Sequence, residues 1–235
     1  LRGGDEVVIE TTGPILFDGG NSFALSTEAP NDIVVGDFDG DGLKDVALSV
    51  PSAIGGSGSV VILTNNGMSG DTWLGFTEES PITVGVNPQD IEVGDFYNDG
   101  TANDLVVANN GDDSVSVLAN DGSGTFTKTD VSTLPDTGPM YLCVMDFVSD
   151  DGLALDDIVV ACSSNNASVL QNSPTPLARS ISFSRVNSIG IPTPGDIDPG
   201  DINTDKDIDL IVLDISNEKV RVMDGEGDGN VATVP

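Results

Sequence analysis

Four short segments of the chain place oxygen-bearing side chains at the spacing of a cation-binding loop. A tight loop turns alternate side chains inward, and the backbone carbonyl of position 7 adds a further oxygen. Calcium accepts about six to eight such oxygens in a flexible geometry, whereas magnesium demands a stricter octahedron. The first segment has glycine at position 6, and its carboxylates at positions 1, 3, 5 and 9 are Asp37, Asp39, Asp41 and Asp45. This spacing predicts a calcium loop.

The fourth segment repeats the spacing with two substitutions. Asn203 stands at position 3, and Lys206 replaces the glycine of position 6. Glycine is better suited than lysine to the positive φ that position 6 often needs, so we expect a weaker site or a different turn here. The expected side-chain ligands of this loop are Asp201, Asn203, Asp205 and Asp209.

The second and third segments are degenerate copies. Tyr97 occupies position 3 of the second segment, and the third segment is longer than the others. Both retain enough oxygens to bind a cation. The candidate ligands are Asp95, Asp99, Thr101, Asn103 and Asp104 in the second segment, and Asp146, Asp150, Asp151, Leu153 and Asp157 in the third.

The composition supports metal loops and excludes several other functions. The chain has 235 residues, 39 acidic and 8 basic side chains, no histidine and a formal net charge of −31. Nucleic-acid binding through phosphate contacts needs Lys and Arg, so it is excluded. Catalysis by a Ser–His or Cys–His pair and zinc binding by histidine are excluded as well. A halophile-type surface would scatter its acids, whereas 16 of the 31 aspartates lie in the four segments.

The segments recur at intervals of 58, 51 and 55 residues, which indicates a repeat architecture. A short apolar run precedes each loop, and a Val- and Ile-rich run follows its last aspartate. A third strand, a Gly-rich turn and a more polar fourth strand complete the unit. Four antiparallel strands in just over fifty residues predict an all-β fold, a β-propeller of four-stranded blades.

The repeat resembles the FG-GAP or VCBS repeats of β-propellers, including the head of the integrin α-chain. The likeness is best at residues 35–51 and 58–63. It implies that the loop between the first and second strands of a blade binds calcium. It also implies that the carbonyls of Leu43 and Asp207 act as ligands in the first and fourth loops. Partners of such a propeller would bind the face opposite the metal loops.

The resemblance covers nearly the whole chain and predicts one propeller domain, residues 1–235, with about four to five blades. We expect a partial blade at residues 1–30, in which residues 15–27 look like a fourth strand, and blades at 31–88, 89–138, 139–195 and, incomplete, 196–235. Three modes of closure stay open. The terminal strands complete one blade between them, they pair with another copy, or the chain is part of a seven-bladed ring.

Cys143 and Cys162 fall on neighbouring strands of the third blade, and the sequence leaves open whether they form a cross-strand disulfide or stay as buried thiols.

We expect a non-catalytic, calcium-stabilised extracellular propeller that serves adhesion, recognition or assembly. Its partners would be a protein or glycan ligand or copies of itself. No apolar stretch reaches membrane-spanning length, so we expect no membrane insertion. Because there is no initiator Met or signal peptide, we expect a mature or excised fragment. The alternatives are the propeller domain of a secreted polysaccharide-active enzyme, and a filament or surface-layer subunit joined by strand exchange.

Overall fold

The computed structural model describes residues 15–17, 21–26, 28–97, 103–133, 135–147, 155–173, 182–225 and 231–233. These residues form β-strands and one short 3-10 helix, Ile215–Asn217. The strands are β1 (Ile15–Phe17), β2 (Asn21–Phe23), β3 (Asp32–Gly36), β4 (Asp45–Val50), β5 (Ser57–Asn65), β6 (Met68–Ser69), β7 (Thr72–Trp73), β8 (Phe76–Glu78), β9 (Ile82–Val86), β10 (Pro88–Gly94), β11 (Asp104–Asn109), β12 (Ser114–Asn120), β13 (Phe126–Ser132), β14 (Pro139–Met145), β15 (Asp157–Cys162), β16 (Asn166–Asn172), β17 (Phe183–Gly190), β18 (Pro194–Gly200), β19 (Asp209–Asp214), β20 (Lys219–Gly225) and β21 (Val231–Thr233).

Four antiparallel sheets follow one another along the chain, and we call them the first to fourth blades. The second, third and fourth blades have the strand orders β10-β11-β12-β13, β14-β15-β16-β17 and β18-β19-β20-β21. In the first blade, β3-β4-β5 is completed by two short strands, because β8 and β9 pair with opposite ends of β5. This arrangement confirms the all-β, propeller-type fold.

Burial is greatest in the second strand of each of the first three blades. Every residue of β4, β11 and β15 is buried, since the second strand packs against neighbouring sheets on both faces. The fourth strand β13 has no fully buried residue, and its only apolar residues are Phe126 and Val131. The continuous Val- and Ile-rich runs of the second strands are therefore explained by double-sided burial.

The apolar cores lie between consecutive blades. Phe38 belongs to a core with Leu105 of the second blade, and Phe96 to a core with Ile158 of the third. Phe147 is in turn clustered with Leu210 of the fourth blade. In each of these three loops, the residue after the first aspartate is thus a phenylalanine, and its buried ring packs the loop against the next blade.

The N-terminal region differs from the expected single fourth strand at residues 15–27. β1 and β2 pair with each other as a short hairpin, and Phe23 and Leu25 pack against a core that includes Leu48 and Leu63. Residues 6–10, which look like a strand in the sequence, lie outside the described residues. The blade boundaries and the mode of ring closure stay predictions.

The two cysteines are free and buried, and they lie on opposite faces of the third blade. Cys143 pairs with Val159 and belongs to the core shared with the fourth blade, whereas Cys162 belongs to the core shared with the second. A disulfide between them is therefore excluded.

In the described part of the chain, no helix combines the length and the hydrophobicity that a membrane crossing requires.

Candidate metal centre

The first loop, residues 37–45, is folded by hydrogen bonds from its own backbone to its own aspartates. Asp37 accepts from the N–H groups of Gly40 and Gly42 at 2.9 and 3.0 Å. Asp39 and Asp41 each accept from the N–H two residues further on, at 3.1 and 2.7 Å. Gly40 and Gly42 have φ values of 79° and 86°, which L-residues rarely adopt. These turns bring Asp37 and Asp39 toward Asp45, whereas the predicted ligand Asp41 is exposed and lies outside this cluster.

Three carboxylates converge inside this loop. One oxygen each of Asp37, Asp39 and Asp45 lies within 4.8 Å of the others. Within the described residues, no Lys or Arg forms an ion pair with any of these three aspartates. Burial and the neighbouring charges of Asp45, Asp41 and Asp37 raise the pKa of Asp39. A divalent cation would relieve this repulsion, and the all-oxygen donor set fits calcium.

Asp45 also braces the loop, because both of its oxygens accept backbone hydrogen bonds. Oδ2 accepts from Phe38 N at 2.8 Å, and Oδ1 accepts from Asn65 N at the end of β5, also at 2.8 Å. Asp45 is completely buried. Each carboxylate oxygen has two lone pairs, so one lone pair per oxygen is left for a cation. The carboxylate therefore joins the start of the loop to the third strand whether or not a metal is bound.

The same brace recurs in all four loops. Asp104, Asp157 and Asp209 are buried. Their Oδ2 atoms accept from the N–H that follows the first aspartate of their own loop, at 2.9, 3.0 and 2.8 Å. Their Oδ1 atoms accept from the N–H at the end of the third strand, at 2.8, 2.8 and 3.0 Å. The aspartate at position 9 of the first and fourth loops corresponds to position 10 of the second loop and position 12 of the third. This position 9 aspartate thus has a structural role besides the predicted role as ligand.

The fourth loop has the same backbone turns as the first despite its different residues. Thr204 and Lys206 have φ values of 67° and 85° where the first loop has its two positive-φ glycines. Asp205 accepts a hydrogen bond from the Asn203 side chain at 2.8 Å. Among the described residues, only the first loop brings three carboxylates within 4.8 Å of one another. Asp201, Asn203, Asp205, Asp209 and the Asp207 carbonyl stay predicted ligands.

The second and third loops are described only in part. Asp95, Asn103, Asp104, Asp146 and Asp157 lie within the described residues, whereas Asp99, Thr101, Asp150, Asp151 and Leu153 lie outside them. Asp156, which precedes the brace of the third loop, accepts from Asp95 N at 2.7 Å and donates its own N–H to Asp95 O at 3.2 Å. The first ligand position of the second loop is thereby tied to the third loop.

An asparagine at the end of the third strand is a further element that the sequence reasoning missed. The Nδ2 of Asn120 donates to the Phe38 carbonyl of the preceding blade at 2.8 Å. The Nδ2 of Asn172 donates to the Phe96 carbonyl at 2.9 Å. Both are buried and both bridge consecutive loops. The available signal was a Leu-x-Asn triplet, which ends β5, β12 and β16 at Asn65, Asn120 and Asn172.

Comparison with known proteins supports the repeat assignment. Residues 29–63, which include β3, the first loop and β4, match the family model of the FG-GAP repeat. The chain carries an FG-GAP repeat. The Asp37–Asp39–Asp45 cluster lies within this FG-GAP match, so the best-formed loop and the recognised repeat coincide. No curated protein has a significant sequence match to the chain.

Solved structures show similarity of fold. A protein from Bacteroides uniformis ATCC 8492, provisionally named a 6-phosphogluconolactonase, superposes with a TM-score of 0.61 at 15% identity. The match covers 94% of this chain and 62% of that chain, so this chain spans less than two thirds of the relative's length. A protein of unknown function from Desulfotomaculum acetoxidans DSM 771 has a TM-score of 0.49 at 13% identity, with 96% of this chain and 74% of that chain covered.

Proposed function

We propose that the chain is a non-catalytic, calcium-stabilised β-propeller that acts outside the cell as a recognition, adhesion or assembly module. The observation that carries this proposal is the convergence of three unneutralised carboxylates, from Asp37, Asp39 and Asp45, inside the FG-GAP repeat. A cluster of negative charge without a basic partner costs stability unless a cation neutralises it.

Calcium would be held by the carboxylates of the first loop and the Leu43 carbonyl, and the ion would supply charge neutralisation. The loop joins β3 to β4, so its closure connects the two inner strands of the blade. Sites of this kind in extracellular modules have dissociation constants of about 10⁻⁴–10⁻³ M, which suits extracellular calcium concentrations. Calcium binding would then make stability depend on the free calcium concentration by mass action.

The recognition role rests on the propeller-type fold and on the chain's composition. Rigid blades present variable turns at their ends, and such turns are suited to a protein or glycan ligand. The net charge of −31 disfavours anionic partners such as nucleic acids. Alternatively, the chain binds copies of itself. A measurement of particle size at high concentration distinguishes self-assembly from a monomer that binds a different partner.

The non-catalytic part of the proposal is supported by the side chains of the loops. The chain has no histidine to act as general base near neutral pH. The buried aspartates of position 9 accept two or more backbone hydrogen bonds each, which favours a fixed structural charge over proton transfer. The lactonase name of the structural neighbour belongs to that protein, and at 15% identity the likeness extends to the fold alone.

The test compares melting temperatures of metal-stripped protein with and without calcium, for the wild type, Asp39→Asn and Asp71→Asn. Asp71 is exposed in the turn between β6 and β7 of the same blade, so its substitution removes the same charge away from the loop. We expect calcium to raise the melting temperature of the wild type and of Asp71→Asn, and to have a reduced effect on Asp39→Asn. Equal responses of all three proteins would refute the assignment of the first loop.

The recognition role is tested with calcium-loaded protein immobilised as bait for a glycan array and for extracellular-matrix proteins. Binding that disappears in EDTA and returns with calcium supports the role. Turnover of a polysaccharide substrate by the purified protein would contradict the non-catalytic assignment.

A further inference from the structure

A second group of acids surrounds a cavity between the inner strands of the blades, away from the loops. The cavity has a volume of about 520 Å³ and is lined by residues of β3, β10, β14 and β18. Asp32, Asp90, Glu92 and Asp196 contribute carboxylates to it, and no Lys or Arg is among the described residues that line it. The cavity therefore concentrates negative charge where the blades meet.

Two of these acids form a direct contact between the first and second blades. Asp32 and Asp90 occupy equivalent positions on β3 and β10, and their carboxyl groups accept from the same backbone N–H, that of Ile91. Two ionised carboxylates brought together in this way repel each other, which favours a proton on Asp90. The pair is comparable to two carboxylates that share one proton because both cannot ionise at close range.

The same pair is tied to the backbone of the next blades. Asp32 Oδ2 accepts from Ile91 N of the second blade at 3.1 Å. Asp90 Oδ2 accepts from Leu142 N of the third blade at 2.7 Å, and Asp90 Oδ1 accepts from Ile91 N at 2.9 Å. The two carboxyl groups thus connect the inner strands of three consecutive blades. A change in their charge acts directly on the junctions between blades.

Within the part of the chain that the structure describes, every titratable group that faces this cluster can only add negative charge to it. These groups are Asp32 on β3, Asp90 and Glu92 on β10, Tyr141 and Cys143 on β14, and Asp196 and Asp198 on β18. Burial, together with the hydrogen bond to Asp32 and the charges of Asp32 and Glu92, raises the pKa of Asp90 to about 8. Burial and the charges of Asp32, Asp196 and Asp198 raise the pKa of Glu92 to about 7.

We propose that Asp32, Asp90 and Glu92 form a proton-dependent lock between the first three blades, which holds while Asp90 and Glu92 keep their protons and loosens as these protons are lost. This device is independent of the calcium loops, because its groups lie on the inner strands and contact the blade junctions. It makes the propeller more stable in mildly acidic than in mildly alkaline surroundings.

The sign follows from the linkage between proton binding and folding. The pKa values of Asp90 and Glu92 are raised from ordinary values of 3.8 and 4.5, so the folded chain binds more protons than the unfolded chain at intermediate pH. The stabilisation is complete below the ordinary values and is lost as the pH rises through about 7 and then about 8. The chain has no histidine, so few other groups titrate in this range.

The test measures melting temperature between pH 5.5 and 8.0 in saturating calcium at constant ionic strength. We expect the wild type to lose at least about 7–14 °C across this range, as one extra bound proton over 2.5 pH units requires in a chain of this size. Asp90→Asn and Glu92→Gln should flatten the dependence, whereas the exposed control Asp71→Asn should keep the wild-type slope. A wild-type melting temperature that is constant with pH, or equal slopes in all four proteins, would overturn the proposal.

A second measurement avoids dependence on the folding of the variants. Carboxyl-carbon NMR of the folded, calcium-loaded wild type, labelled at its aspartates, should show one aspartate with a midpoint near 8. That resonance should be absent in Asp90→Asn if the variant folds. A spectrum in which every aspartate of the wild type has finished titrating below pH 6 would contradict the lock and leave the calcium proposal unaffected.

Discussion

Substitution of Asn120 by alanine should weaken the junction between the first and second blades without replacing a predicted metal ligand. Asn120 lies at the end of β12 and is 4% exposed. Its Nδ2 donates to the Phe38 carbonyl at 2.8 Å and to the Asn103 carbonyl at 3.4 Å. Its Oδ1 accepts from Gly122 N at 3.0 Å, which shapes the turn that follows. Alanine removes all three hydrogen bonds.

The expected cost follows from these contacts. A net contribution of about 0.5–1.5 kcal/mol per hydrogen bond, and the desolvation cost of a buried carbonyl left without a donor, give a loss of about 2–4 kcal/mol. In a chain of 235 residues this corresponds to a fall in melting temperature of roughly 5–15 °C. Asn172→Ala should behave alike, because Asn172 makes the equivalent contact to the Phe96 carbonyl.

Urea denaturation in saturating calcium measures this free energy of unfolding. Asn110→Ala is the matched control, since the Asn110 side chain is half-buried and its contact with Asn87 is long, at 3.5 Å. We expect the control to cost less than about 0.5 kcal/mol. A loss for Asn120→Ala that is no larger than the loss for Asn110→Ala would refute the assignment of Asn120 as an inter-blade bridge.

Two further predictions concern the loops. Lys206→Gly should stabilise the protein by about 1 kcal/mol, because Lys206 has a φ of 85° and glycine adopts this conformation without steric cost. The midpoint of urea denaturation should therefore rise, and an unchanged or lower midpoint would contradict this prediction. Phe96→Ala should destabilise by about 3–5 kcal/mol, because the ring is fully buried between two blades. The control is Ile202→Ala, because Ile202 is at the equivalent position of the fourth loop and is 53% exposed. It should cost well under half of the loss for Phe96→Ala. Similar losses for the two variants would show that the Phe96 ring does not stabilise the junction between the blades.

The repeat and its strands could be predicted from the sequence because each unit uses the same signals in the same order. Val- and Ile-rich runs next to Asp-Gly loops indicate buried strands, and the structure has β4, β11, β15 and β19 at those places. The first loop could also be predicted, since its glycines occur where positive φ is required. The N-terminal hairpin departs from the prediction of one strand at residues 15–27, although the Asp-Gly-Gly sequence at residues 18–20 is itself a turn signal.

The double role of the position 9 aspartates could not be deduced from spacing. The same aspartate could act as a metal ligand or as a buried acceptor of backbone hydrogen bonds. The second role of Asp45 becomes visible only in its contacts with backbone N–H groups. The Asp32–Asp90 contact was hidden for another reason. These residues are 58 positions apart and meet only when consecutive inner strands are placed side by side. The opposite orientation of Cys143 and Cys162 likewise depends on the strand register.

Calorimetric titration of calcium into metal-stripped protein tests the central proposal most directly. The account predicts at least one binding site in the wild type. All binding should be retained in Asp71→Asn, and the site of the first loop should be lost or strongly weakened in Asp39→Asn. The absence of measurable calcium binding by the folded wild type at millimolar concentrations would contradict it, and the four loops would then be acidic turns held by their buried aspartates.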